Sequence, residues 1–186
     1  MKNLIVIVLF LFCSTTWAHS GPEVPETMDL DTLAKTFGWD FKAAQIKTEK
    51  VGDDLFVLFG LGGNIAVSVG EDGVFIVDDQ FPQIMPKIKK AIRKLGGKDV
   101  DFAVTTHWHF DHAEGNLALG PDGVWLVAQE NSREMMKGDH IINLVITAYE
   151  QKAYPESAWP DITFSDAMQF HLNGQQSDLL HFGTAH

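Results

Sequence analysis

Eight residues, Thr105-Thr106-His107-Trp108-His109-Phe110-Asp111-His112, bring three imidazoles and a carboxylate into six consecutive positions. Neutral imidazole ligates zinc and similar borderline metals, and a carboxylate adds the charge that a divalent cation favours. The apolar run Phe102-Ala103-Val104 just before them has the composition of a buried strand end. In an extended segment side chains alternate faces, so His107 and His109 would leave the backbone on the same side. Asp111 and His112 follow where the strand must give way to a loop, and can offer a second pair of ligands. Structural zinc sites are usually rich in cysteine and closed by four ligands. The single cysteine here is Cys13, far from the histidines. The residues point to an open site of the catalytic kind, for two metals.

The pattern His107-x-His109-x-Asp111-His112 after a Thr-Thr strand end resembles the central motif of the metallo-β-lactamase superfamily. Other stretches match in order along the chain. Leu55 to Phe59 and Asn64 to Val69 resemble the first paired strands, joined through Gly60-Leu61-Gly62-Gly63. Gly73 to Asp78 resembles the next strand, and Gly183-Thr184-Ala185-His186 the element that delivers a third histidine to the first metal. The resemblance runs from about Val51 to His186. It implies an α/β fold, the αββα sandwich, of which this chain would supply the first half and the start of the second.

What the resemblance implies about the site is specific. His107, His109 and His186 would hold a first zinc ion. Asp111 and His112 would serve a second, with residues beyond His186, and Asp111 would be the catalytic residue that orients the attacking water. Asp78 would fix a ligand imidazole by hydrogen bonding from outside the metal's own ligands, with Asp79 as the alternative. The chemistry is metal-assisted hydrolysis: the metal lowers the pKa of its water from about 16 towards 7. The expected substrate is a small ester, thioester, lactone or β-lactam. An iron-dependent, oxygen-handling enzyme on the same fold and a non-catalytic metal-binding product are the competing readings. Family members continue well past that last histidine, so the chain reads as a truncated product or a partial sequence. By itself it is expected to be poorly soluble and weak in zinc.

Three segments follow from composition. Residues 1–18 have the basic start, apolar run Leu4 to Phe12 and small-residue end of a secretory signal peptide, cleaved after Ala18. That run is too short for a stable membrane anchor, and a lipid-anchored reading through Cys13 is disfavoured by bulky Phe12. The expected location is the periplasm or outside the cell. Residues 19–50 form an N-terminal extension with a short amphipathic helix in Leu30 to Phe41, and 51–186 the metallo-β-lactamase-like domain. Pro86 to Leu95 has helical periodicity and a lysine-rich outer face, ended by Gly96-Gly97. The formal net charge of −11 argues against a nucleic-acid partner for that face; the expected partner is a small-molecule substrate. Val124 to Ala128 should be a strand, Asn131 to Lys137 a helix, and Ile141 to Tyr154 a helix and loop over the site's entrance. Asn173-Gly174 should turn a hairpin. His140, His171 and His181 fit no ligand position.

Overall fold

The computed structural model describes residues 26–183; the leader and His186 lie outside the described residues. The chain starts with β1 (Thr27–Met28) and α1 (Leu30–Phe37). Asp29 caps that helix by accepting from the Thr32 backbone N–H at 2.7 Å. Strands β2 (Lys47–Lys50), β3 (Leu55–Phe59), β4 (Ile65–Gly70) and β5 (Gly73–Val77) form an antiparallel meander. Helix α2 (Met85–Lys94) crosses over, so that β6 (Phe102–Thr105) runs parallel to β5. One-turn helices α3 (Phe110–Ala113) and α4 (Asn116–Leu119) lead to β7 (Trp125–Gln129), parallel to β6. After α5 (Glu130–Met136) come the hairpin β8 (His140–Leu144) and β9 (Thr147–Gln151), then β10 (Ile162–Phe164) and the hairpin β11 (Ala167–Leu172) and β12 (Gln175–Leu180). The main sheet has the order β10-β7-β6-β5-β4-β3-β2, with separate sheets β1-β9-β8 and β11-β12.

The central strands bury both faces, which is why they read as nearly continuous apolar runs. Along β5, Val74 and Ile76 turn to the helical side, while Phe75 and Val77 turn to the other. On the helical side α2 buries Met85, Ile88, Ala91 and Ile92 against them. Full burial of one such aliphatic chain is worth about 1.5–3 kcal/mol. Lys87 departs from the solvated lysine face: its ammonium donates to the carbonyls of Phe41, Lys42 and Ala44 at 2.9, 2.6 and 2.8 Å. That clamps the N-terminal segment to the domain. Leu33 is fully buried in the same core and β2 joins the main sheet, so residues from Thr27 onward are part of the fold.

The segment from Ile141 to Tyr154 corrects its expected helix and loop: it begins with the β8–β9 hairpin. Ile142, Ala148 and Tyr149 are buried in strand conformation. A run of β-branched residues with an apolar pattern satisfies either period over so few positions, and the pairing partner decides.

On the other face of the main sheet, Phe75, Val104 and Val127 pack under β11–β12 through Met168, Phe170 and Leu172. Asn173 anchors this hairpin. It sits at φ 54° with Gly174 at 69°, the left-handed pair that the Asn-Gly turn demands. Its side-chain amide donates to Ser68 Oγ at 2.9 Å and Gly73 O at 3.1 Å, and its Oδ1 accepts from the Asp72 N–H at 3.1 Å. Asn173→Ala removes these bonds and leaves a less tolerant residue in the left-handed region. It should cost about 2 kcal/mol, read as a lower urea midpoint at unchanged slope. An unchanged midpoint would show that the hairpin is held elsewhere.

Candidate metal centre

β5 and β6 lie parallel with Val77 opposite Val104. The residues after them therefore emerge side by side at the carboxyl ends of the strands, where open parallel sheets collect ligands. Asp78 and Gln80 take φ 65° and 57°, left-handed conformations that cost non-glycine residues energy and cluster at functional sites. The sharp turn they make aims the Asp78 carboxylate across the gap. It accepts from the Thr106 N–H at 2.8 Å and Thr106 Oγ1 at 2.9 Å, and meets His112 Nδ1 at 2.7 Å.

The histidines come together differently from the strand-alternation expectation. β6 stops at Thr105, and His107 to His109 lie on a bent loop. Asp111 and His112 belong to α3 and not to a loop. The loop nonetheless packs the rings closely: His107 and His109 have centroids 4.8 Å apart, and His107 and His112 4.3 Å. Asp111 Oδ2 lies 3.6 Å from His112 Nε2. Phe110 is the anchor, buried against Tyr149 at 4.4 Å and Phe81 at 6.1 Å, while Trp39 and Phe41 of the N-terminal segment close on Phe81.

Hydrogen bonding assigns the tautomers. Asp78 is an acceptor, so neutral His112 carries its proton on Nδ1 and keeps the lone pair on Nε2, on the side of Asp111. Thr106 Oγ1 spends its proton on Asp78, so His107 Nδ1, 3.0 Å away, is its donor, and the His107 lone pair also falls on Nε2. Asp78's hydrogen bond is the main cause that raises the His112 pKa above the usual imidazole value, against the opposing effect of burial. Among the described residues, no three His, Cys, Asp or Glu side chains stand in an arrangement that holds one ion. The donor chemistry nevertheless suits zinc: three imidazoles, two of them with assigned lone pairs, and one carboxylate, gathered on the bent loop and the first turn of α3.

Sequence reasoning missed the residues that seat the loop. Gln80 is fully buried; its Oε1 accepts from the Leu61 N–H at 3.1 Å and its amide donates to Gly63 O. Gly63 N–H in turn donates to Asp111 O at 3.1 Å. A Cβ on Gly63 would lie 2.4 Å from His112 Cε1, so only glycine lets this turn touch the ring. Nothing about an uncharged Gln after two aspartates announces such a role. Trp108 meets His109 and His140 edge to face, with ring centroids 4.7 and 4.8 Å away, and its carbonyl accepts from Gln151 at 2.9 Å. Behind the loop lie two buried acids. Burial lifts Glu114 to about 7, and Tyr149 OH donates to it at 3.4 Å. Burial, and then the neighbouring Asp78 charge, raise Asp79 well above the carboxylate range. The Asp79 carboxylate lies against the Gly115 backbone, whereas Asp78 makes the contact to the imidazole.

Comparison with known proteins agrees with this architecture. The solved structures it resembles include a subclass B3 metallo-beta-lactamase of Bradyrhizobium japonicum, at 24% identity and TM-score 0.57, covering 72% of this chain and 50% of that one. A B3 metallo-beta-lactamase with an active-site glutamic acid gives 24% identity and TM-score 0.58, covering 80% and 55%. A Cronobacter sakazakii metallo-beta-lactamase with a HARLDQ motif gives 20% and 0.60, covering 73% and 53%. At these identities the likeness is one of fold, and the chain spans about half the length of those structures. The profile of the metallo-beta-lactamase superfamily matches residues 58–186, which include the whole histidine loop and both strands that hold it. This chain belongs to the metallo-beta-lactamase superfamily.

Proposed function

We propose that this sequence carries the metal-binding part of a secreted zinc-dependent hydrolase acting on a small ester, thioester, lactone or β-lactam. The observation that supports it best is the contact from Asp78 to His112 Nδ1 at 2.7 Å, which turns the Nε2 lone pair towards Asp111 at the sheet's carboxyl edge. His107, His109 and His186 would hold one zinc ion, and Asp111 and His112 would contribute to a second. Bound there, zinc would supply a water acidified towards neutrality and would polarise the scissile carbonyl. The protein's own residues perform the positioning. Asp111 would accept a hydrogen bond from the attacking water and so orient the water's lone pair towards the carbonyl carbon. Asp78 and Thr106 hold the tautomers of His112 and His107. Gly63 and Gln80 keep the helix turn bearing Asp111 and His112 from moving. The leader in residues 1–18 supports export to the periplasm or beyond, with a small molecule as partner and neither nucleic acid nor membrane anchor.

Three outcomes test this reading in a polypeptide that joins this sequence to the second half of the fold. Elemental analysis after zinc reconstitution should find about two zinc ions per chain; no first-row metal at all would refute it. Asp111→Ala should reduce turnover on whichever of the four substrate classes is cleaved by about two to four orders of magnitude, with little effect on melting. Near-parental turnover would remove Asp111 from the mechanism. Asp78→Ala should weaken zinc binding by about 10–100-fold in competition with a chelator. Unchanged affinity would mean that Asp78 supports only the fold.

A further inference from the structure

The strand edges of the described fold are blunted, with one exception. β2 carries Lys47, Glu49 and Lys50 along an exposed edge. β10 has three residues and β1 two. β12 carries Asp178, and β11 turns Gln169 and His171 outward. Charge, shortness and polar faces are the ordinary defences against edge-to-edge pairing. β8 lacks them. It ends the sheet β1-β9-β8, and from His140 to Thr147 there is no Asp, Glu, Lys, Arg or Pro. The stretch Ile141-Ile142-Asn143-Leu144-Val145-Ile146-Thr147 is rich in β-branched residues and uncharged, the composition of a strand-pairing segment.

Local folding does not explain its tip. Val145 and Ile146 form the two-residue turn between Leu144 and Thr147. Turns of that length favour positive φ, yet the described non-glycine residues that adopt it are Asp78, Gln80 and Asn173. So Val145 and Ile146 are poor choices for the turn, and they are not core either. They are 105% and 71% exposed, and Ile141 is 51% exposed. With Leu144 and Thr147 closing the turn as a hydrogen-bonded pair, Ile141 and Asn143 point their N–H and C=O groups away from β9.

Charge argues for what covers this edge. Asp139, Glu150 and Lys152 gather at the hairpin's root and pair with one another, at 3.1 and 2.6 Å from the lysine. The chain carries a net −11, so two copies repel except across a neutral strip. β8 is such a strip, and an antiparallel β8 is its own complement. We propose that β8 is a self-association edge, at which two copies of this chain pair antiparallel about a twofold axis. The pairing joins two three-stranded sheets into one and covers Ile141, Val145 and Ile146. It closes at two copies, because the outer edge left over is the two-residue β1. The interface lies close to the metal loop, since Tyr149 and Gln151 of β9 touch Phe110 and Trp108.

Sedimentation velocity of the purified, metal-free chain from about 1 to 100 µM, the range of a small interface, tests this. A monomer–dimer equilibrium is expected, with the Ile141 and Asn143 amides exchanging more slowly as concentration rises. Ile141→Lys, at an exposed position that leaves the core intact, should cut the dimer at least tenfold at unchanged circular dichroism, and Val145→Lys should do the same. Leu180→Lys on β12 should leave it unchanged. A monomer throughout, a dimer sensitive only to Leu180→Lys, or open-ended polymers that survive Ile141→Lys would each overturn the proposal. A different polypeptide co-purifying on β8 in place of the second copy would overturn it as well.

Discussion

The carboxylate of Asp78 gathers three separate pieces of chain at one point: the end of β5, which bears it, the end of β6 through Thr106, and α3 through His112. Each contact is charge-assisted and partly shielded from water, where such bonds are stronger than neutral ones. The carboxylate can reach all three because β5 and β6 are parallel neighbours in register and because Asp78 itself bends out of the strand at φ 65°. Without that bend the carboxylate would follow the alternation of β5 onto one face of the sheet. The strained backbone is therefore part of the geometry that assigns the imidazole tautomers.

Around this point the fold supplies stiffness from every side. Phe110, the first residue of α3, is locked among Trp39, Phe81 and Tyr149, and it lies in sequence between two liganding candidates, His109 and Asp111. The glycine turn after β3 presses on Asp111 and His112 from above, pinned by Gln80. Beneath lie Asp79 and Glu114, two acids whose burial favours their neutral forms. For the metal-binding role proposed above this support matters, since binding energy at a metal site depends on ligands already in place.

The two faces of the main sheet are unequally covered. The helical side has a continuous core from Leu33 through Ile88 to Leu126. Among the described residues the other carries only β11–β12, and a cavity of about 520 Å³ remains between them, lined by Ala66, Phe75, Val77 and Val104 on the sheet and Leu179 on the hairpin. Apolar surface facing a void loses both the transfer and the dispersion terms that close packing provides. The hairpin holds its position mainly through Phe170 against Phe75 and Phe102 and through the Asn173 bonds.

Some of this was determined by sequence alone. Helix α2 follows from a period of 3.6 in its apolar residues, and the Asn173-Gly174 turn from the two residue types that tolerate positive φ. The family likeness, too, is carried by the types and spacing of His107, His109, Asp111 and His112. These rules act within a few residues, so local sequence suffices. Tertiary structure decided the rest. It placed His107 and His109 on a bent loop beyond the strand, chose Asp78 over the adjacent Asp79 as the imidazole's partner, and recruited Gln80 and Gly63. It also made Ile141 to Gln151 a hairpin instead of a helix. Each of these depends on which strands become neighbours, in what register, and which face is buried, and no window of neighbouring residues contains that information.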